Sequence, residues 1–405
     1  MLYKSNKEDI LFIRSALERF YSIGALEDGG VTRLAYSPEE DSMHKAFAEF
    51  AAENGFSCHC DAVGNSYAYL DSSGEPFTLI GSHLDSVVDG GRFDGVAGVI
   101  AGLLVMRWSQ QSGASVPIRT AAFRCEESSR FGRATIGSGL ITHDISSANI
   151  RNLTAIDGIC ISDIFQKRGL SMDPPQISGV RQYLELHIEQ GKVLEEYGKQ
   201  VGIVSAIAGP RRFTLRIIGM AEHSGATPMA LRSDALCAAS EIILGIEALG
   251  RKESAEHSVA TVGVIHNTPN VLNVVPGEVT LGIDLRGVSL SSLDRMEASL
   301  QTLCQSVCRE RAVQYEMSPL SMSPPVTMDK TLQQALLSAA GSCGISAMSM
   351  ISGAGHDAMS FAPLCPTAMV FVPCRRGISH NRLEFTTEEA ICTGAQVLYE
   401  YLRQK

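Results

Sequence analysis

FTLIGSHLDSVVDGGRFD, residues 77–94, is an apolar strand-like run that reaches a histidine and then opens into a glycine-rich loop bearing carboxylates. A helix should follow over 95–110, and 118–123 then reads as a second buried strand. Right-handed crossover makes the two strands parallel, so His83 and the acidic pair Glu126 and Glu127 emerge at the carboxyl edge of one sheet. A further strand is expected over 65–70, joined to the first by the turn DSSGEP, 71–76. His83 offers a neutral imidazole and Asp94 a carboxylate able to bridge two cations. Asp85, two residues from His83 on the same side of an extended chain, can hold the ring's other N–H.

The rest of the chain bounds what such a site can do. At 405 residues the chain exceeds the size at which one core keeps growing, so two domains are expected. Hydrophobic content of 45% with 19% charged residues is that of a globular protein. A net charge of -10, with no basic stripe, argues against nucleic acid. The amino terminus reads as an amphipathic helix rather than a signal peptide, and the longest apolar stretch, 95–106, is too short to span a bilayer. A cytoplasmic protein without a membrane partner is the expectation. The eleven cysteines are scattered; set in apolar segments, as Cys237, Cys304 and Cys392 are, they read as reduced, buried thiols. Cys58 and Cys60 flank His59, but no second pair stands at zinc-finger spacing.

A second α/β unit begins near residue 211. RRFTLRIIGM is strand-like, the loop AEHSGA follows, and Thr227 before Pro228 predicts a helix from 228 to about 249. The strands ATVGVIH and EVTLGIDLRG, a helix over 291–312 and a strand over 313–318 complete a β-α-β-β-α-β order, the ferredoxin-like arrangement. The proline-rich SMSPPVTMD, 321–329, reads as a return linker. The expected organisation is a discontinuous first domain, 1–209 and 323–405, interrupted by 210–322.

Three more stretches supply ligand types: RCEESSRFG with Glu126 and Glu127, LELHIEQG with His187, and GISHN with His380. Nitrogen and oxygen donors without thiolate suit Zn²⁺, Mn²⁺ or related cations. A bridging Asp between ions about 3.5–4 Å apart leaves room for a shared hydroxide, a hydrolytic arrangement. Neighbouring glutamates on extended backbone diverge, so one can bind metal while the other takes a proton. Each residue alone has a plainer reading: a hydrogen-bonded histidine, a solvated acidic pair, turn chemistry at Asp94. Arg286 shares a strand face with Asp284, and can either present its planar fork to a substrate carboxylate or pair with that neighbour. His257 and His266 read as structural or exposed; Asn381 and Glu384 stay open between support of the site and surface.

These stretches occur together and in order, and from about Ser42 onward the chain resembles the metal-dependent carbamoyl-amino-acid hydrolases. That family includes N-carbamoyl-L-amino acid amidohydrolases, allantoate amidohydrolases and yeast-type β-alanine synthase, a branch of the two-metal aminopeptidase and deacylase superfamily. The resemblance implies a zinc-aminopeptidase-like catalytic domain, a mixed sheet flanked by helices, with an inserted ferredoxin-like lid and dimerisation domain. It also implies His83, Asp94 and His187 on one ion, and Asp94, Glu127 and His380 on the other. Glu126 matches the general base and Asp85 the carboxylate behind the first histidine. Gln190, His223, Asn273, Arg286, Gly355 and His356 match substrate contacts, and His223 is read as an oxyanion donor. Departures are small: Ser128 where the family commonly has Gly, and Ser-Gly-Ala-Thr-Pro at 224–228 where it has Ala-Gly-Thr-Thr-Pro. The basic stretch 374–385 bears on substrate identity.

The expected activity is hydrolysis of a ureido C–N bond in a small carboxylated substrate, with two divalent ions per subunit. Zn²⁺ is the first expectation and Mn²⁺, Co²⁺ or Ni²⁺ its alternatives; the expected assembly is a homodimer. A dipeptidase or N-acyl-amino-acid deacylase of the same superfamily is the nearest rival. A cysteine amidase using Cys125, and a non-catalytic ligand-binding module, are the remote ones.

Overall fold

The computed structural model describes residues 6–70, 76–113 and 116–404. Residues 71–75 of the expected turn, and the first five residues of the amino-terminal segment, lie outside the described residues. The chain divides into two compact units, one comprising 1–205 and 328–405, the other 206–327.

The first unit is built on a large mixed sheet. At its centre four strands run parallel in the order Ile118–Phe123, Phe77–His83, Val180–Ile188, Thr367–Val372. Antiparallel strands extend both flanks: Ser66–Tyr69 and Ser57–Cys60 on one side, Val201–Ile207 on the other. Helix Val96–Ser112 crosses over between the first two parallel strands, as the sequence pattern requires, and is buried along nearly its whole length. It comes so close to the sheet that a Cβ on Gly98 would stand 2.2 Å from the Leu186 carbonyl oxygen. The amino-terminal helix Lys7–Tyr21 starts in a capping box, with Asn6 and Asp9 exchanging side-chain and backbone hydrogen bonds. It packs with Val96–Ser112 and the final helix Glu388–Arg403 in one core with Leu184, Leu186 and Ile188. Alternation along Val180–Ile188 then turns Tyr183, Glu185 and His187 to the sheet's other face.

The second unit is a four-stranded antiparallel sheet in the order Gln314–Met322, Gly209–Ile218, Glu278–Gly287, Val259–Thr268. Helices Ala235–Lys252 and Leu290–Glu310 cover one face, and Leu215, Ile217, Ile242, Leu281 and Leu300 form its core. The β-α-β-β-α-β order is present as read from the sequence.

Two expectations need correction. The long helix of this unit does not start at Pro228, whose ψ of 146° is extended. A short 3₁₀ turn, Met229–Leu231, intervenes, and the α-helix starts at Ala235, where the Asp234 side chain accepts the amides of Leu236 and Cys237. Arg232 holds the preceding loop by donating to the carbonyls of Thr227 and Ser224. Cys237 is exposed rather than buried, because it falls on the outward side of that first turn, whereas Cys304 and Cys392 are buried. Among the described residues no helix is long and apolar enough to cross a membrane.

Candidate active site

The four central parallel strands end at one edge of the sheet, and each delivers a polar group there. His83 is the last residue of its strand; Glu126 and Glu127 follow the strand ending at Phe123; His187 lies one residue from the end of its strand; His380 follows the strand ending at Val372. Asp94 arrives from the loop after His83. Such an edge is where open α/β sheets bind ligands.

The geometry separates into two groups that share Asp94. His83 Nε2 and His187 Nε2 lie 3.5 and 3.0 Å from Asp94 Oδ1. On the other side His380 Nε2 lies 3.2 Å from Asp94 Oδ2 and 3.1 Å from Glu127 Oε1. His83, Asp94 and His187 could hold one cation, and Asp94, Glu127 and His380 another.

Local structure fixes these rings. His83 Nδ1 bonds to the Asp85 carbonyl oxygen at 3.1 Å, and His187 Nδ1 to the Ile188 carbonyl oxygen at 2.9 Å, which turns each Nε2 toward Asp94. Gly95, at φ +67°, opens the helix beside His83, where a Cβ would stand 2.6 Å from the imidazole. The Asp85 carboxylate lies 3.4 Å from His83 Nδ1, and its two oxygens also accept the amides of Glu126 and Glu127 at 3.1 and 3.0 Å. Asp85 thus joins the His83 loop to the glutamate loop, beyond the support of one ring read from its spacing.

Electrostatics follows from this crowding. Burial works against a charge on His83, but Glu126, Asp85 and Asp94 hold its imidazolium well above the usual range. Hydrogen bonds to Asp94 and Glu127 push His380 up to about 11. Asp94 is buried, yet His187, His380 and His83 hold its carboxyl well below the ordinary value. Burial raises Glu126, and Glu127, Asp357 and Asp85 add to the shift while His83 opposes it. Glu126 Oε2 stands 3.8 Å from His83 Nε2, so the two glutamates do face different groups.

Gln190, at φ +58°, donates from Nε2 to Asp94 Oδ2 at 2.9 Å, and its Oε1 is buried without a partner among the described residues. His356 is buried edge-on against His187, at 4.6 Å between ring centroids, and bonds to Ser352 Oγ, whereas Gly355 beside it is exposed. His223, Asn273 and Arg286 belong to the second unit. There Val274 pairs with His223, bringing Asn273 alongside, and His223 Nδ1 accepts the amides of Gly225 and Ala226. The hydrogen of its neutral ring therefore sits on Nε2. Arg286 donates from Nε and Nη2 to Asp284 Oδ2 at 3.0 and 2.9 Å, the neighbour pairing that its strand face allows.

Sequence reasoning missed Glu185. Its carboxylate accepts from Ser82 Oγ, Tyr183 OH and the Ala358 amide, joining three segments that carry site residues. Its place two residues before His187 on an alternating strand was the available signal. Cys125 is fully buried, and burial, with Asp85 and Glu40, pushes its thiol well above the ordinary range. A nucleophile must ionise, so this position does not suit a cysteine amidase. His59 stacks on Tyr67 at 4.8 Å, a packing role. His257 and His266 are exposed.

Known proteins match this chain over nearly its whole length. The family model for peptidase family M20/M25/M40 matches residues 55–404. An N-carbamoyl-L-amino acid amidohydrolase of Geobacillus stearothermophilus is 37% identical over 94% of this chain and 95% of its own. An allantoate amidohydrolase of Escherichia coli is 36% identical over 97% of this chain and 98% of its own. Among solved structures, a hydantoinase/carbamoylase family amidase from Burkholderia multivorans superposes with a TM-score of 0.90 at 33% identity, covering 97% of each chain.

Proposed function

The chain belongs to peptidase family M20/M25/M40, and from that premise we propose that it is a two-metal amidohydrolase. Its reaction is cleavage of the carbamoyl C–N bond of an N-carbamoyl-L-amino acid or an allantoate-like ureido acid. The observation that carries this reading is the pair of donor sets sharing Asp94, with Glu126 beside them.

The residues fit a pair of small divalent ions. For bonds of about 2.0–2.1 Å, donors at the corners of a tetrahedron stand about 3.3 Å apart. The distances around Asp94 run from 3.0 to 3.5 Å. Imidazole and carboxylate donors without thiolate suit Zn²⁺ first, and Mn²⁺, Co²⁺ or Ni²⁺ by the same chemistry. When bound, such ions supply Lewis acidity toward the carbonyl oxygen and make water acidic enough to ionise near neutral pH.

The chain's own groups do the rest. Glu126 takes a proton from the attacking water as its oxygen adds to the carbamoyl carbon, and then delivers that proton to the leaving nitrogen as the C–N bond breaks. Ammonia leaves, and the carbamate that remains loses carbon dioxide to give the amine. Burial raises the Glu126 carboxyl above its ordinary range, with His83 opposing the shift. His223, with its hydrogen on Nε2, is assigned to the oxyanion, Arg286 to the substrate carboxylate, and Gln190, Asn273, Gly355 and His356 to further contacts.

We further propose that residues 206–327 act as lid and as dimer interface. The edge strand Val259–Thr268 leaves Val259, Val264 and Ile265 exposed, a surface of the kind that pairs with another copy. The test of the reaction is ammonia release by metal-loaded protein on matched N-carbamoyl and N-acetyl forms of one amino acid, with allantoate alongside. Turnover of a carbamoyl or ureido form is expected; acetate release with no ammonia would replace this reading by a deacylase, and stoichiometric binding without turnover by a ligand-binding module.

A further inference from the structure

Glu384 lies four residues beyond His380 and is only 4% exposed. Its Oε1 accepts the amides of Phe93 and Asp94 at 2.9 and 3.0 Å. Its Oε2 accepts the Ser379 hydroxyl at 2.7 Å. Ser379 Oγ accepts in turn from Gln190 Nε2 at 3.3 Å, and that same nitrogen donates to Asp94 Oδ2 at 2.9 Å. One buried carboxylate therefore ties the backbone of the shared Asp94 to the residue preceding His380, and a side-chain chain closes the loop. Room for it is made at Gly91, where a Cβ would stand 2.1 Å from the Glu384 carboxyl carbon. The second glycine of DGGRFDG is thus read by a residue almost 300 positions away, as the sequence separation of 291 between Phe93 and Glu384 shows.

We propose that Glu384 is a positioning residue that sets His380 against Asp94, so that the second cation site is preorganised by the clamp this carboxylate places on the two loops. The inference rests on the two-metal reading. Glu384 touches neither substrate nor ion in this account; it acts through backbone amides and a hydroxyl. Its chemistry makes glutamine a sufficient substitute, because a carboxamide oxygen still accepts both amides and its NH₂ can donate to Ser379 Oγ. Alanine leaves two buried amides without partners.

The test is Zn²⁺ binding to metal-stripped full-length protein, followed by competition with a chromophoric chelator, with circular dichroism and thermal unfolding of the same metal-free samples. Glu384→Ala is expected to weaken the looser of the two ions by about 10–100-fold, the usual effect of losing a group behind a ligand. Glu384→Gln is expected to stay near wild type. Gly91→Ala, which drives the carboxylate out without removing it, should reproduce the alanine phenotype and serves if Glu384→Ala does not fold. Wild-type affinity for both ions in these two variants, or equal damage in Glu384→Gln, would overturn the inference. A wild-type protein that binds fewer than two ions would instead overturn the two-metal reading beneath it.

Discussion

The two halves of the candidate site are built to different standards of rigidity. The side chains of His83 and His187 are 2% and 1% exposed, each at or near the end of a central strand, with the ring fixed by a backbone carbonyl. His380 is 49% exposed, stands at φ +53° in a loop, and meets Asp94 and Glu127 through side chains alone. The first half is a by-product of the sheet: once the strands pair in register, the imidazoles are in place. The second half depends on loop-to-loop ties such as Glu384 and Ser379. Preorganised ligands give up less freedom on binding, so the tighter ion is expected at His83 and His187 and the looser one at His380.

That asymmetry can be broken most forcefully at the histidines. His187→Ala should abolish tight metal binding and bring ammonia release to background, whereas His380→Ala should keep one tightly held ion while losing the other, with turnover also lost. Metal content after gel filtration checks both, and equal metal loss in the two variants would erase the distinction. A smaller effect is expected at Gly95, whose φ of +67° and contact with the His83 ring exclude a side chain. Gly95→Ala should lower stability by about 1–3 kcal/mol, read as a shift in the denaturant midpoint of the metal-free protein, and should weaken the tighter ion. A similar shift in stability with both affinities intact would show that His83 is held by something other than this glycine. The smallest effect should come from Cys125→Ala. Its thiol is buried and, with Asp85 and Glu40 near it, held well above its ordinary range, so turnover should stay near wild type, with a stability change of about 1 kcal/mol. Loss of turnover without loss of fold would restore the cysteine as a participant.

What was legible in the sequence follows the same division. Strand ends and the glycine-rich loop are local signals, so the parallel βαβ unit with His83 and Asp94 could be read from 77–123, whereas His187 offered only a ligand type and was grouped with them by the family resemblance. The ferredoxin-like order was legible because hydrophobic period switches between two and 3.6 along 209–322. The start of the helix at Ala235 was not, because Thr-Pro at 227–228 carries a helix signal that the Asp234 cap overrides. Nor was the place of Glu384, since its partners Phe93 and Asp94 are brought to it only by the tertiary fold. Asp85 was half legible: its closeness to His83 is a matter of spacing, while its hold on the Glu126 and Glu127 amides requires two strands to be neighbours.

The central claim is that Glu126 moves the proton at a metal pair it does not itself hold. Glu126→Gln, reconstituted with Zn²⁺ and assayed for metal content and for ammonia release from an N-carbamoyl amino acid, tests it directly. Two ions per chain, as in wild type, are expected, with kcat lower by about 10²–10⁴-fold. Full turnover with both ions bound would contradict it.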